Sequence, residues 1–151
     1  MKKIVIYLII LGLILTGLFV VLCSPNFPEC LKKYSLVYLC VIMGGFGGVT
    51  YCLRGVYLNA CVKKTWDKEW QPWYYIRPIV SLMCGGISYL FLKAGLLILE
   101  AQQGLEATNL GFLALAFIAG LNVDKFISKI EDVAQATWGI EKSRTAKDSQ
   151  K

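Results

Sequence analysis

The chain has 151 residues, of which 56% are hydrophobic, and a formal net charge of +6. Its mean hydropathy of +0.56 excludes an ordinary soluble domain and leaves room for one membrane domain. It contains no histidine, which removes the usual general base and the commonest metal ligand. No paired carboxylates, Ser/Lys dyad or set of metal ligands shares a predicted span, so we expect no enzyme, cofactor or metal site.

The N-terminus predicts the first transmembrane helix. Two lysines precede the apolar run 4–22, an outline that also fits a signal peptide. The run is longer than a usual signal core and no small-x-small cleavage site follows it, so we predict an uncleaved span. Cys23 and Cys30 flank the next loop on the predicted outer side, where an oxidising periplasm permits a disulfide, and the unpaired reading stays open.

The second predicted span covers residues 35–53 and contains four glycines in five positions. Gly44 and Gly48 form a G-x-x-x-G pair, which leaves one helix face nearly bare and predicts close helix packing. A phosphate-binding loop is the functional alternative. It is disfavoured because no strand precedes the glycines and no Lys-Ser/Thr pair follows them.

A basic, aromatic connector follows the second span. Trp66, Trp70 and Trp73 keep helical spacing, and Arg77 comes one turn later. We interpret these four residues as interface anchors in the lipid headgroups. Such a stretch also resembles a stacking surface for single-stranded nucleic acid, but membrane spans on both sides favour lipid anchoring.

The third predicted span covers residues 78–99, a run of about 33 Å as a helix, which is enough to cross a bilayer. Pro78 suits a first helical turn, and Ser81 and Gly85 repeat the small-x-x-x-small pattern. Lys93 is the run's one charge. A snorkelling lysine is the simpler reading, and a pore-lining charge or a partner for the acids of the next connector is the alternative.

The last predicted span covers residues 105–121, with a re-entrant segment as the alternative. Residues 122–139 follow it directly and predict a cytoplasmic amphipathic helix. We interpret this segment as a coupling helix, with apolar contacts from Phe126, Ile127, Ile130 and Trp138. Its mixed charges favour packing on protein over binding to lipid alone. Residues 140–151 predict a disordered tail.

The basic residues predict the orientation. The outer loops hold only Lys32 and Lys33, whereas the remaining connectors and both termini hold the other cations outside the third span. The predicted fold is therefore an all-α membrane protein with four transmembrane helices in domain 1–121 and both ends in the cytoplasm. The placement of the cations also favours the lipid bilayer as partner and disfavours direct nucleic-acid binding.

Several short motifs resemble those of a known class of protein. They are Trp73-Tyr74-Tyr75-Ile76-Arg77-Pro78, Gly85-Gly86, Lys93-Ala94-Gly95-Leu96-Leu97, Gly111-Phe112 and Phe117-Ile118-Ala119-Gly120. Together they resemble small bacterial inner-membrane proteins with an aromatic-x-x-R-P span, a K/R-x-G-L exit and an F-x-A-G final span. The resemblance covers roughly residues 73 to 138. Some such proteins are similar to the transmembrane effectors of retron antiphage systems.

This resemblance implies an inner-membrane effector of antiviral defence that acts by abortive infection. It further implies a homo-oligomer that perturbs the membrane and a cytoplasmic partner, a reverse transcriptase with its RNA. A small channel or transporter is the main alternative, although the predicted spans carry few of the ionisable residues that transporters place at mid-membrane. A non-catalytic accessory subunit of a membrane complex also fits the sequence.

Overall fold

The computed structural model describes residues 2–24, 32, 34–64, 68–95 and 105–140. These residues form helices and connecting turns without any strand, which confirms the all-α prediction. The five α-helices are α1 (Lys2–Cys23), α2 (Ser35–Tyr57), α3 (Gln71–Lys93), α4 (Leu105–Leu121) and α5 (Val123–Trp138). A π-helical turn, Leu58–Val62, continues α2, and a 3-10 turn, Lys68–Trp70, precedes α3.

Three of the helical segments are long and apolar enough to cross a membrane. They are Lys2–Cys23, Ser35–Val62 and Gln71–Lys93. The segments Asn109–Leu121 and Val123–Trp138 meet the same criterion only as a pair, with a bend of 112° between them. The described chain is therefore a helical membrane protein with three candidate spans, or four if the bent pair counts as one.

Helix α2 lies at the centre of the bundle and contacts α1, α3 and α4. Its glycines face different neighbours, because successive residues of a helix point about 100° apart. Gly44 and Gly48 approach α3, Gly47 approaches α4, and Gly45 packs against side chains of α1 and α3. The glycine-rich stretch thus serves three helix contacts at once.

Helix α3 begins earlier and ends earlier than the predicted span 78–99. Pro72 occupies its first turn, Pro78 lies inside the helix, and Lys93 is its last residue. Tyr74 packs in a core cluster with residues of α1 and α2. The aromatic stretch before Pro78 is therefore part of the helix. Lys93 therefore lies at a helix end rather than one to two turns inside a span.

The junction between α4 and α5 also differs from the sequence expectation of direct continuation. Asn122 has non-helical backbone angles, φ −121° and ψ 56°, and its side chain makes no capping hydrogen bond. The chain turns sharply there, and α5 then runs to Gly139. That glycine ends the helix in a left-handed conformation with φ 69°, which glycine adopts without steric cost.

Candidate functional site

Three helices approach backbone to backbone where α2, α3 and α4 meet. A Cβ atom built on Gly44 would lie 2.7 Å from Gly85 Cα, and one built on Gly120 would lie 2.7 Å from Gly44 Cα. Real Cβ contacts do not become this short, so each position needs a residue without a side chain. The sequence predicted Gly44 and Gly85 as packing residues and missed Gly120, although Gly120 belongs to the F-x-A-G motif.

The Ser81 hydroxyl forms hydrogen bonds at the same contact between α2, α3 and α4. Its Oγ lies 3.0 Å from the carbonyl oxygen of Arg77 and 2.9 Å from that of Gly120. A Cβ on Gly48 would clash with the Ser81 side chain. The predicted packing residues Gly48 and Ser81 thus lie together inside one chain, and Ser81 joins α3 to the last turn of α4.

The polar centre of the site is an ion pair at the α4–α5 bend. Arg77 Nη1 donates to both carboxylate oxygens of Asp124, at 3.2 Å and 3.0 Å. The Arg77 side chain is 5% exposed, whereas that of Asp124 is 82% exposed. The two partners of the pair differ in burial. Loss of the carboxylate would leave a buried cation without a counter-charge, which is costly. Loss of the guanidinium would leave only an exposed anion.

Two aromatic rings complete the environment of Arg77. Its Cζ atom lies 4.8 Å from the centroid of the Tyr51 ring and 5.4 Å from that of the Trp73 ring. Both distances fall within the range of cation–π attraction. Arg77 Nε is buried and has no hydrogen-bond partner among the described residues, so one donor of the guanidinium is unused.

These contacts correct the interpretation of Arg77 as an anchor exposed to headgroups. The guanidinium points into the protein because a carboxylate and two rings are within reach there. Trp73 is likewise partly buried, against the cluster that contains Tyr74. Trp70 is exposed, as an interface anchor would be, and Trp66 lies outside the described residues.

The depth of the ion pair along the bundle can be read from the residues of α1 that lie at the same level. Cys52, next in the chain to Tyr51, packs in one cluster with Leu8 of α1 and Tyr74 of α3. Leu8 is the fifth residue of the apolar run 4–22. Arg77, three residues after Tyr74, therefore lies within the apolar length of α1 and not at its charged end.

The apolar face of α5 is divided between buried and exposed residues. Val123 and Phe126 pack in a cluster with Cys84 of α3, and Ile130 lies against its edge. Ile127 and Trp138 are exposed. The four residues predicted to make one contact surface thus divide into two pairs. Phe126 is buried and Ile130 partly buried within the chain, and Ile127 and Trp138 form an exposed outer pair.

The possible pairing of Cys23 with Cys30 is not tested by the part of the chain that is described. Cys23 is exposed at the end of α1, and Cys30 lies outside the described residues. No group of three or more His, Cys, Asp or Glu side chains in the described ranges could hold a metal ion. No protein-family model, curated protein or solved structure matches the chain.

Proposed function

We propose that this chain is a multi-pass protein of the bacterial inner membrane, with four spans and both ends in the cytoplasm, and that it is an effector of antiphage defence. It oligomerises and perturbs the membrane when infection is sensed, as the resemblance to retron-type effectors implies. The Arg77–Asp124 ion pair carries the proposal, because it lies within the apolar length of α1 and ties α5 to the bundle.

Charges at this depth are costly in a membrane. If α1 crosses the bilayer, the level of Leu8 and its neighbours lies roughly 6–12 Å inside the headgroup boundary, at about 1.5 Å per residue. An unpaired charge at the centre of a membrane helix costs about 2.5–3.5 kcal/mol on insertion scales. Pairing reduces this cost, and ionisable residues inside membrane segments mark functional positions.

The asymmetry of the pair suggests how α5 is released. Because Asp124 is exposed and Arg77 is buried, α5 can leave by moving the carboxylate while the guanidinium stays in place. The buried guanidinium is then unpaired, and pairing with another carboxylate lowers its free energy. Asp124 of a second copy can supply it, since the exchange of an identical element between copies is a low-cost route to oligomers. In this proposal, exchange of α5 places its charged residues among the spans of a neighbouring copy and opens a leak.

Induced expression in bacteria loaded with a membrane-potential dye tests the proposal. Asp124→Asn removes the ion pair, and Phe126→Glu places a charge in the apolar cluster that holds α5. Both variants should depolarise cells without phage, whereas the wild type should do so only after infection. Lys125→Gln, which changes an exposed neighbour on α5, should behave as the wild type does.

Two results would contradict this function. If both variants insert normally, leave the membrane potential unchanged and protect fully, α5 is not a restraint. If the wild type neither depolarises infected cells nor reduces phage yield, the chain is not an effector of this kind.

A channel or transporter is the second candidate, and the position of the ion pair favours it. Secondary transporters bind their ions and substrates at broken helices near the membrane midplane, and the α4–α5 bend beside Arg77 resembles that arrangement. A channel of this kind should conduct in proteoliposomes without any trigger. Asp124→Asn should then lower a selective flux rather than raise a non-selective leak.

A further inference from the structure

A second polar site lies where α2 ends and α3 begins. A cavity of about 430 Å³ opens there, within the size range of small-molecule sites. Aromatic rings form much of its lining, among them Tyr51 and Trp73, the two rings that contact Arg77. The basic side chains of Arg54 and Lys63 complete the wall together with the amide of Asn59.

The π-helical turn Leu58–Val62 shapes this cavity. It widens the end of α2 and closes with a 2.8 Å hydrogen bond from Lys63 N to Leu58 O. Within the turn, Asn59 Nδ2 lies 3.2 Å from the hydroxyl oxygen of Tyr74, to which it donates a hydrogen bond. The turn thus places Asn59 and Lys63 in the lining of the cavity beside Tyr74 of α3.

The positively charged side chains that line the cavity favour an anionic ligand. Arg54 and Lys63 are its two charged lining residues, and no carboxylate from the described part of the chain lines it. Both cations are exposed, so a ligand can reach them from outside the bundle. Arginine and lysine are the side chains that proteins use most for phosphate, through charge-assisted hydrogen bonds.

The position of the cavity indicates a lipid as the source of that phosphate. Ile4, the first apolar residue of α1, packs in the same cluster as Tyr74, so the cavity lies at the end where the run 4–22 begins. Trp70, Trp73 and the basic pair combine aromatic and cationic side chains as membrane interfaces do. We propose that this cavity binds the phosphate of an anionic phospholipid headgroup. The proposal requires the chain to lie in a membrane but does not depend on an effector function.

Binding to the purified full chain in detergent micelles tests the site. The probes are dihexanoyl phosphatidylglycerol, dihexanoyl phosphatidylcholine and inorganic phosphate, followed by tryptophan fluorescence because two tryptophans line the cavity. The wild type should bind the phosphatidylglycerol most tightly. The double variant R54Q/K63Q should bind it at least about tenfold more weakly, since each cation contributes a charge-assisted contact.

The matched control is K3Q/K64Q, which removes two charges at the same end of the bundle without altering the cavity lining. It should bind phosphatidylglycerol within about threefold of the wild type in buffer of about 0.15 M ionic strength, because salt screens exposed charges outside the cavity. Lys63→Gln alone, at an exposed position that does not endanger folding, should give an intermediate loss. Circular dichroism should show unchanged helix content in all variants.

Three results would overturn the proposal. Equal losses in the two double variants would mean that surface charge alone attracts the lipid. Equal affinity for phosphatidylglycerol and phosphatidylcholine would mean that the cavity does not select an anion. Inorganic phosphate that binds as tightly as the lipid would identify a soluble phosphate site instead.

Discussion

Arg77 is the residue of α3 whose side chain contacts both α2 and α5. It pairs with Asp124 of α5, lies over the adjacent rings of Tyr51 and Trp73, and its carbonyl oxygen accepts a hydrogen bond from Ser81 Oγ of the same helix. Because its side chain is buried, its partners must compensate for the lost hydration of the guanidinium. The cost of losing Asp124 should therefore depend on the buried charge of Arg77.

A double-mutant cycle tests this dependence. Asp124→Asn in the wild type should lower the free energy of unfolding by about 1–2 kcal/mol, because it removes the counter-charge of the buried guanidinium but keeps a hydrogen-bond acceptor. In the background Arg77→Met, which removes the buried charge, the same substitution should cost less than about 0.5 kcal/mol. The measurement is denaturant unfolding in detergent. Equal costs in both backgrounds would show that the ion pair contributes no coupling.

At the scale of the helices, the glycines of α2 act within one chain. Gly44 lies against the backbones of both α3 and α4, so its bare face is already occupied by the chain's own helices. Small residues matter in membrane helices because packing there depends on close approach and not on the exclusion of water. Substitutions at Gly44 should accordingly affect folding before they affect any contact between copies.

Two glycine substitutions distinguish the effect of close packing on stability from the effect of helix propensity. Gly44→Ala adds a methyl group against Gly85 and Gly120 and should destabilise the fold by about 1–3 kcal/mol. Gly17→Ala adds the same group on α1, where no atom lies within 4 Å, and should be neutral or stabilise by up to about 1 kcal/mol. Thermal unfolding followed by circular dichroism measures both. Equal melting temperatures would place the close contact elsewhere.

Apolar run length predicted which stretches are helical, because a bilayer requires long runs with few charges. It did not predict the partner of Arg77, since Asp124 lies 47 positions away and no periodic pattern joins two such residues. The sequence indicated a helix boundary at Asn122 but not the sharp angle there, because that angle depends on the backbone conformation of one residue. The π-helical turn after α2 likewise leaves no clear sequence pattern.

At the scale of the whole molecule, the bend of 112° allows two topologies for the last two helices. If α4 and α5 together form the end of a fourth span, the C-terminus reaches the cytoplasm. If they form a re-entrant loop, the C-terminus returns to the periplasm. The cations from Lys125 onward favour the first arrangement, because positively charged segments near membrane spans stay in the cytoplasm.

Reporter fusions distinguish the two topologies. Fusions after residues 30 and 104 should report the periplasm, and fusions after residue 65 and at the C-terminus should report the cytoplasm. The C-terminal fusion decides between them, because only its location differs in the re-entrant arrangement. A cytoplasmic signal would place α5 where it can meet a cytoplasmic partner or α5 of a neighbouring copy. A periplasmic signal would remove the fourth span and any contact with a cytoplasmic partner, and with them the proposed trigger of the effector.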